Sequence, residues 1–302
     1  MVDQLIGRLF ERQRSLSLLT HTAAPTPHAD HGFDALLGSA HDRYLGEGHR
    51  RVGLTLSGLT QTSDSSFSSA ARLVYPVDWS TKAGSSRTAH LSTVDAMRIA
   101  GRLRDTLALE IPVVSRYSAE RSLTVRAGAR PWEALDDVPV LSEVSRPAGS
   151  DYLRLQHTIG SLKVVSDWEL PNHTQSIRDD WEAGQAIAVR LSANDCVECT
   201  YDRTAAVPSP MSFLEAMMLT AQMAQVALYA GDTARREASG NMWMRRAHFV
   251  RRRWALDQTQ HVIARLENRR ELSVGGRQIG TAEVRADDVF GIQVTASLAS
   301  GS

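Results

Sequence analysis

Leu91-Ser92-Thr93-Val94-Asp95-Ala96-Met97 heads one long, largely apolar segment of this chain, and Met211-Ser212-Phe213-Leu214-Glu215-Ala216-Met217 heads another. The second begins 120 residues after the first, about the size of one small domain, and a carboxylate stands at the same place in both. A repeat of that length predicts two related units built around two equivalent helices, with function to be sought where those helices begin. From Met211 to Ala230 there is no Gly or Pro, and Gly231 supplies a stop. Phe213, Leu214, Met217, Met218, Leu219, Met223, Val226 and Leu228 surround most of that helix instead of marking one stripe, which predicts burial on nearly all sides. Glu215, Gln222, Gln225 and Tyr229 make it too polar for a membrane span.

Strand-like runs follow each helix start. After the second come residues 241–254, 261–266, 271–274, 279–285 and 291–298; after the first, whose helix is expected over 92–107, come 122–127, 138–144, 152–157 and 161–167. Residues 51–60 and 71–75 read as strands ahead of it. The order strand, helix, meander therefore occurs twice, which is the α+β arrangement of a double hot-dog fold: two long central helices, each wrapped by a curved antiparallel sheet. The units are placed at 41–170 and 171–302, joined near the loop that begins Trp168-Glu169-Leu170-Pro171-Asn172, with residues 1–40 as an N-terminal arm.

Composition sets the outer limits. At 302 residues, 42% hydrophobic, 23% charged and of zero formal net charge, the chain can bury an ordinary core in two domains, and its charge does not favour nucleic acid. Charged Asp3, Arg8, Glu11, Arg12 and Arg14 break up the apolar start, so it does not read as a signal peptide, and a cytoplasmic protein is expected. His21, His28 and His31 with Asp30 lack a regular element to fix a metal geometry, so no metal is assigned. Cys196-Val197-Glu198-Cys199 lacks the second pair of a zinc site; on a strand its two thiols would point to opposite faces. The basic run Arg245-Arg246-Ala247-His248-Phe249-Val250-Arg251-Arg252-Arg253 is either a solvated strand face or a phosphate cradle. Arg245 and Arg246 are better placed for the second role because they follow Trp243 in an apolar stretch.

Asp95 and Glu215 each lie three residues after a serine, the spacing of a capping box, and capping alone would account for them. A carboxylate near a helix start in an apolar tunnel can also be tuned as a general base, while free backbone N–H groups polarise a thioester carbonyl. Both readings stand at this point.

Three strings add a resemblance: Tyr44-Leu45-Gly46-Glu47-Gly48-His49-Arg50-Arg51-Val52, Val74-Tyr75-Pro76-Val77-Asp78-Trp79-Ser80-Thr81-Lys82 and His90-Leu91-Ser92-Thr93-Val94-Asp95-Ala96. With the later Asn241-Met242-Trp243-Met244-Arg245, they resemble the avirulence D family of bacterial proteins over roughly residues 40–300. Pro208 to Met217 is also similar to the helix start of A-factor synthases, which are double hot-dog proteins. The resemblance implies a biosynthetic acyltransferase or condensing enzyme. It would join a β-ketoacyl thioester, carried on an acyl carrier protein, to a hydroxyl of a ketose or similar hydroxyketone, with ring closure to a syringolide- or butenolide-like signal. No cofactor is implied, and association of copies of the chain is left open. The His-x-x-x-Gly-x-x-x-x-Pro loop of dehydratases is absent from both halves, with Tyr201 standing about where the second half would have placed its histidine. A hot-dog thioesterase or dehydratase, and a non-catalytic regulator that binds a lipid signal, are the alternatives.

In such a site a group from one half faces the helix of the other. His90 opposite Glu215 is therefore the expected pair, with Asp95 as a third catalytic candidate. Tyr75 and Trp79 are candidates for flanking the sugar or acyl chain, and Asp78 and Lys82 for binding hydroxyls. Tyr201, Trp243, Arg245 and Arg246 complete the candidate substrate-binding set.

Overall fold

A computed structural model describes residues 32–79, 81–82, 85–86, 88–128, 130–171, 184–192, 195–203, 209–229, 242–274 and 277–301. The N-terminal histidines, Asp30, Pro208, Asn241 and the side chain of Lys82 lie outside the described residues. The strands of the main sheet are β1 (Gly53–Ser63), β2 (Ser66–Val74), β3 (Ala119–Arg126), β4 (Val138–Ser145), β5 (Leu153–Ile159) and β6 (Leu162–Glu169), then β7 (Gln185–Ser192), β8 (Cys196–Asp202), β9 (Met242–Arg251), β10 (Thr259–Val274), β11 (Arg277–Val289) and β12 (Ile292–Gly301). The helices are α1 (Phe33–Leu37), α2 (Thr93–Glu110), α3 (Pro112–Arg116) and α4 (Phe213–Tyr229).

All twelve strands form one antiparallel sheet in the order β1-β2-β4-β5-β6-β3-β9-β12-β11-β10-β8-β7. Read from its two edges inward, the sheet is the same six-strand path twice, with the long helix of 18 residues (α2) or 17 residues (α4) inserted between the second and third strand of each path. The halves meet where β3 pairs with β9, Leu123 opposite Phe249 and Val125 opposite Ala247, all four buried. The last hairpin of each half turns on a glycine at positive φ, Gly160 (52°) and Gly291 (85°). At Gly291 a Cβ would lie 2.3 Å from the Arg253 carbonyl oxygen, so the turn excludes any larger residue.

The helices differ in ways their sequences dictate. In α4 every residue is buried except the half-exposed Leu214, Gln222, Gln225 and Leu228, as an all-round apolar sequence requires. In α2 a stripe of Val94, Met97, Ile99, Ala100, Leu103 and Leu107 packs inward while arginines occupy the remaining face. Pro112 ends α2 by forcing Ile111 into an extended conformation (φ −123°, ψ 104°).

Several boundaries differ from the sequence reading. Residues 261–266 and 271–274 belong to the single strand β10, which is interrupted by a bulge between Glu267 and Arg270 where Asn268 takes φ 54°. β7 carries no clear alternation because it is an edge strand on which only Val189 is fully buried. Residues assigned to the arm begin the core instead: Phe33 and Leu37 of α1 are buried in the main cluster. Cys199 is buried, its thiol pushed up to about 12 by burial, while Cys196 is half-buried; both are free.

One buried polar pair makes stability depend on pH. His157 on β5 pairs in register with Ser142 on β4, whose Oγ lies 2.9 Å from Nδ1, and Nε2 is buried with no partner among the described residues. Burial lowers this imidazole from 6.5 to about 4. Between those values the unfolded chain takes a proton that the folded one refuses, so the contribution is full above pH 6.5 and is lost as pH falls toward 4. Unfolding free energy measured by urea titration is expected to fall across that interval. The slope should be shallower in His157→Gln; an unchanged slope would count against this account.

Candidate active site

The start of α2 carries a reciprocal capping box. Ser92 Oγ accepts the Asp95 N–H (3.0 Å), and Asp95 Oδ2 accepts the Ser92 N–H (3.1 Å). Asp95 Oδ2 does more than cap. It also accepts the Ser92 hydroxyl (2.6 Å), the Tyr44 hydroxyl (3.0 Å) and the Tyr75 hydroxyl, which has the His90 carbonyl as a second acceptor at 3.1 Å. Four donors on one fully buried oxygen fix three side chains from three different segments. Burial, and then the negative charge of Asp95, raise both tyrosines above the ordinary phenol range, so they act as neutral proton donors.

The aromatic rings sit over this oxygen as a cluster. Tyr44 and Tyr75 stack at 6.2 Å, and Trp79 packs edge-on against them at 5.4 and 5.0 Å. His90 lies face to face with Trp243, a residue of the other half, at 5.0 Å and 15°. Its Nδ1 faces the Thr88 carbonyl at 3.3 Å, which can only accept, so in the neutral ring Nε2 is the basic nitrogen. Tyr44 owes its position to Arg43, which binds Asp34 (2.6 Å), the Gly38 carbonyl (2.8 Å) and Gln222 of α4 (2.8 Å). The following turn needs Gly46, where a Cβ would stand 2.4 Å from the Ala40 carbonyl oxygen.

Tyr44, Trp79, His90 and Trp243, but not Tyr75, border a cavity of about 170 Å³ built from both halves. Tyr44, Trp79, His90 and the α2 start at Ser92, Thr93 and Val94 form one wall; Met217, Ala221 and Gln225 of α4 with Trp243 form the other. The side-chain oxygen of Gln225 is shut off from solvent and meets no donor among the described residues. Asp95 is not on the cavity wall; it stands behind Ser92 and Tyr44.

The expected pairing of His90 with Glu215 does not occur. At about 100° per residue, Glu215 points about 160° around α4 from Met217 and about 120° from Ala221, and unlike Met217, Ala221 and Gln225 it does not line the cavity that His90 borders. Its carboxylate is held at two points by Arg203, Nε to Oε1 at 3.0 Å and Nη2 to Oε2 at 3.1 Å, with both residues buried. The two acids are thus anchored in equivalent ways. Tyr75 follows directly on β2 and Arg203 directly on β8, and each donates to the acid in the first turn of the next long helix.

The remaining candidates separate. Tyr201 is buried, edge-on to Phe290 at 6.1 Å, on neither main cavity wall, and burial followed by the charge of Glu215 raises its hydroxyl. Asp78 is exposed and lowered by its bond to Arg51 (2.9 Å). Arg245 donates to the carbonyl of Gly128, a residue of the cavity rim, at 2.9 Å. Arg246 is exposed and faces Arg126 across the strand pair. Arg251 is buried between Trp254 (4.3 Å) and Phe213 (5.0 Å), and burial brings it down to about 10, so the basic run is not one surface. Tyr44, Ser92 and Gln225 were absent from the candidate set. Tyr44 lies in a string that carried the family resemblance, and Gln225 was visible as a polar interruption in an apolar helix. No group of three or more His, Cys, Asp or Glu is placed to hold a metal ion among the described residues.

Breaking a buried ion pair leaves an uncompensated charge, at a cost of roughly 3–5 kcal/mol. Glu215→Gln is therefore expected to lower unfolding free energy by about that amount in urea titrations, and Arg203→Met with Glu215→Leu to recover much of it. A Glu215→Gln protein of wild-type stability would contradict the anchoring role.

None of the curated proteins matches the sequence. Among solved structures, a tesB protein of Mycobacterium avium subsp. paratuberculosis is 14% identical, over 86% of this chain and 99% of that one, with a TM-score of 0.41. A protein of unknown function with hot dog fold from Alicyclobacillus acidocaldarius is 11% identical, over 81% and 95%, at 0.40. A putative oleoyl thioesterase from Lactobacillus plantarum is 11% identical, over 79% and 97%, at 0.44. The model of the Pseudomonas avirulence D protein (AvrD) family matches residues 28–180 and again 170–300, so both halves are covered. The chain belongs to the avirulence D family.

Proposed function

We propose that this protein is a double hot-dog acyltransferase that joins a β-ketoacyl thioester to a hydroxyl of a ketose or similar hydroxyketone and closes the product to a ring. Its units would be residues 41–170 and 171–302. The observation that carries the reading is the stack of His90 on Trp243 above the Ser92–Asp95 network, in a cavity to which both halves contribute. Family membership and the duplicated helix-and-sheet path support an enzyme acting on acyl thioesters.

In this mechanism the thioester carbonyl sits at the start of α2. There the N–H groups of Thr93 and Val94 have no partner within the helix and polarise it, while the box already occupies the Asp95 N–H. His90 Nε2 takes the proton of the acceptor hydroxyl, whose oxygen bonds to the carbonyl carbon. The tetrahedral intermediate collapses, the C–S bond breaks, and the proton passes to the departing thiolate. The carbon between the two carbonyls then attacks the ketose carbonyl, giving up a proton as that oxygen gains one. Asp95 acts as a positioning residue, holding Ser92, Tyr44 and, through Tyr75, the His90 main chain. Water in place of the hydroxyl would make the same site a thioesterase, and binding without turnover would make it a lipid-signal receptor.

The test is purified protein with a β-ketoacyl carrier-protein thioester and a panel of ketoses, read by mass spectrometry. A new acyl-sugar mass is expected; free acid or an enoyl product alone would overturn the transferase reading, as would saturable binding without product. His90→Asn should lower kcat about 10²–10⁴-fold with little change in melting temperature. Wild-type turnover in His90→Asn would remove it from the chemistry.

Arg245 is proposed to receive the phosphate of the carrier arm at the cavity rim. Arg245→Ala should weaken use of the carrier-bound substrate more than of a short free thioester, with the gap closing at high salt, and Arg246→Ala should have the smaller effect. Equal losses on both substrates would assign Arg245 a structural role.

A further inference from the structure

The 120-residue repeat generates a second cavity. The start of α4 at Ser212, Phe213 and Leu214 corresponds to Ser92, Thr93 and Val94, and Met97, Gly101 and Asp105 of α2 correspond to Met217, Ala221 and Gln225. These residues line a separate cavity of about 440 Å³, within the ~300–1,000 Å³ usual for small-molecule sites.

Its wall carries more charged side chains than that of the first. Besides Trp168 and His49, its wall carries Arg50, Arg98, Arg102 and Arg104, against the acids Asp105 and Glu120. Neutral backbone groups aim three of these guanidiniums, of which Arg98 also faces the buried Asp95 at 3.8 Å and Arg104 also pairs with Asp105. Arg98 donates to the carbonyls of His49 and Val52, each at 3.0 Å, Arg102 to that of Leu54 at 2.5 Å, and Arg104 to that of Tyr117 at 3.1 Å. Arg104 also lies over the Trp168 ring at 4.8 Å and bonds Asp105 at 2.9 Å, and its Nε is buried without an acceptor among the described residues. His49, also on the wall, is lowered by burial to about 4 and adds no charge at neutral pH. A cavity with more fixed cations than acids favours an anion, and guanidinium forks match phosphate oxygens two at a time. Asp105, Glu120 and Ser118 supply acceptors of the kind that bind hydroxyls.

We infer that this cavity is a second, distinct ligand site that takes a small phosphate ester bearing hydroxyl groups. The shared chemistry is the phosphate, which either a free phosphorylated sugar or the phosphate of a pantetheine arm could bring. The inference does not depend on the reaction assigned to the other cavity.

Calorimetric titration of the full chain at fixed ionic strength tests it, with inorganic phosphate, a pentulose phosphate, the same pentulose without phosphate, and phosphopantetheine as probes. A phosphate ester is expected to bind at least tenfold more tightly than the unphosphorylated sugar. Arg50→Gln with Arg102→Gln should weaken that binding at least tenfold while leaving the ligand-free melting temperature near that of the wild type. If the double variant fails to fold, Arg50→Gln alone, at an exposed position, should still weaken binding severalfold. Tighter binding of the pentulose phosphate than of phosphopantetheine identifies a free sugar phosphate as the source, and the reverse order identifies the arm. Equal binding of sugar with and without phosphate, undiminished binding in the folded variants, or no binding of any phosphate at millimolar concentration would overturn the inference.

Discussion

The antiparallel pairing of β3 with β9 is the constraint on which the rest of the molecule depends. It joins two six-stranded halves through edges that would otherwise present unpaired N–H and C=O groups to water, an arrangement prone to aggregation. Its register puts Leu123, Val125, Ala247 and Phe249 together on the buried face. It also brings the two halves together so that the start of each long helix shares a cavity with the side of the other. A slip of one residue would turn those four side chains outward and carry Trp243, six residues before Phe249, away from His90.

Within that frame the duplicated carboxylates have taken different partners. Asp95 gathers hydroxyls from Tyr44, Tyr75 and Ser92, uncharged donors that rigidify a polar cluster beside a cavity. Glu215 is matched by one guanidinium in a buried pair, which satisfies charge and geometry at once and leaves little for a substrate to exploit. The same backbone position thus orders a polar cluster beside a cavity in one half and forms an internal strut in the other. The cavity walls diverge in the same sense, aromatic beside α2 and arginine-rich beside α4.

The two cavities are linked through Arg98. It lines the arginine-rich cavity, and its Nη1 lies 3.8 Å from Oδ1 of Asp95, the carboxylate oxygen that has no hydrogen-bond donor among the described residues. The carboxylate that orders the His90 side therefore feels a cation on the wall of the other cavity, through a contact that needs no moving part.

The sequence by itself determined what neighbours in the chain control. The Ser-x-x-Asp and Ser-x-x-Glu starts, the apolar surround of α4 and most strand alternations are local, because capping and periodicity act within a few residues. The repeat, and with it the duplicated helix-and-meander order, followed from comparing the chain with itself. The tertiary structure alone decided which partner each acid received. Arg203 and Tyr75 occupy the same place after a strand, yet only packing shows that one clamps Glu215 while the other shares Asp95 with Tyr44. It also decided that Glu215 turns to Arg203 and not to the cavity bordered by His90, that Trp243 meets His90 across about half the chain, and that Arg251 leaves a seemingly continuous basic run to be buried. Such contacts depend on strand register and helix rotation, which every residue of the sheet sets together, and no short stretch of sequence encodes them.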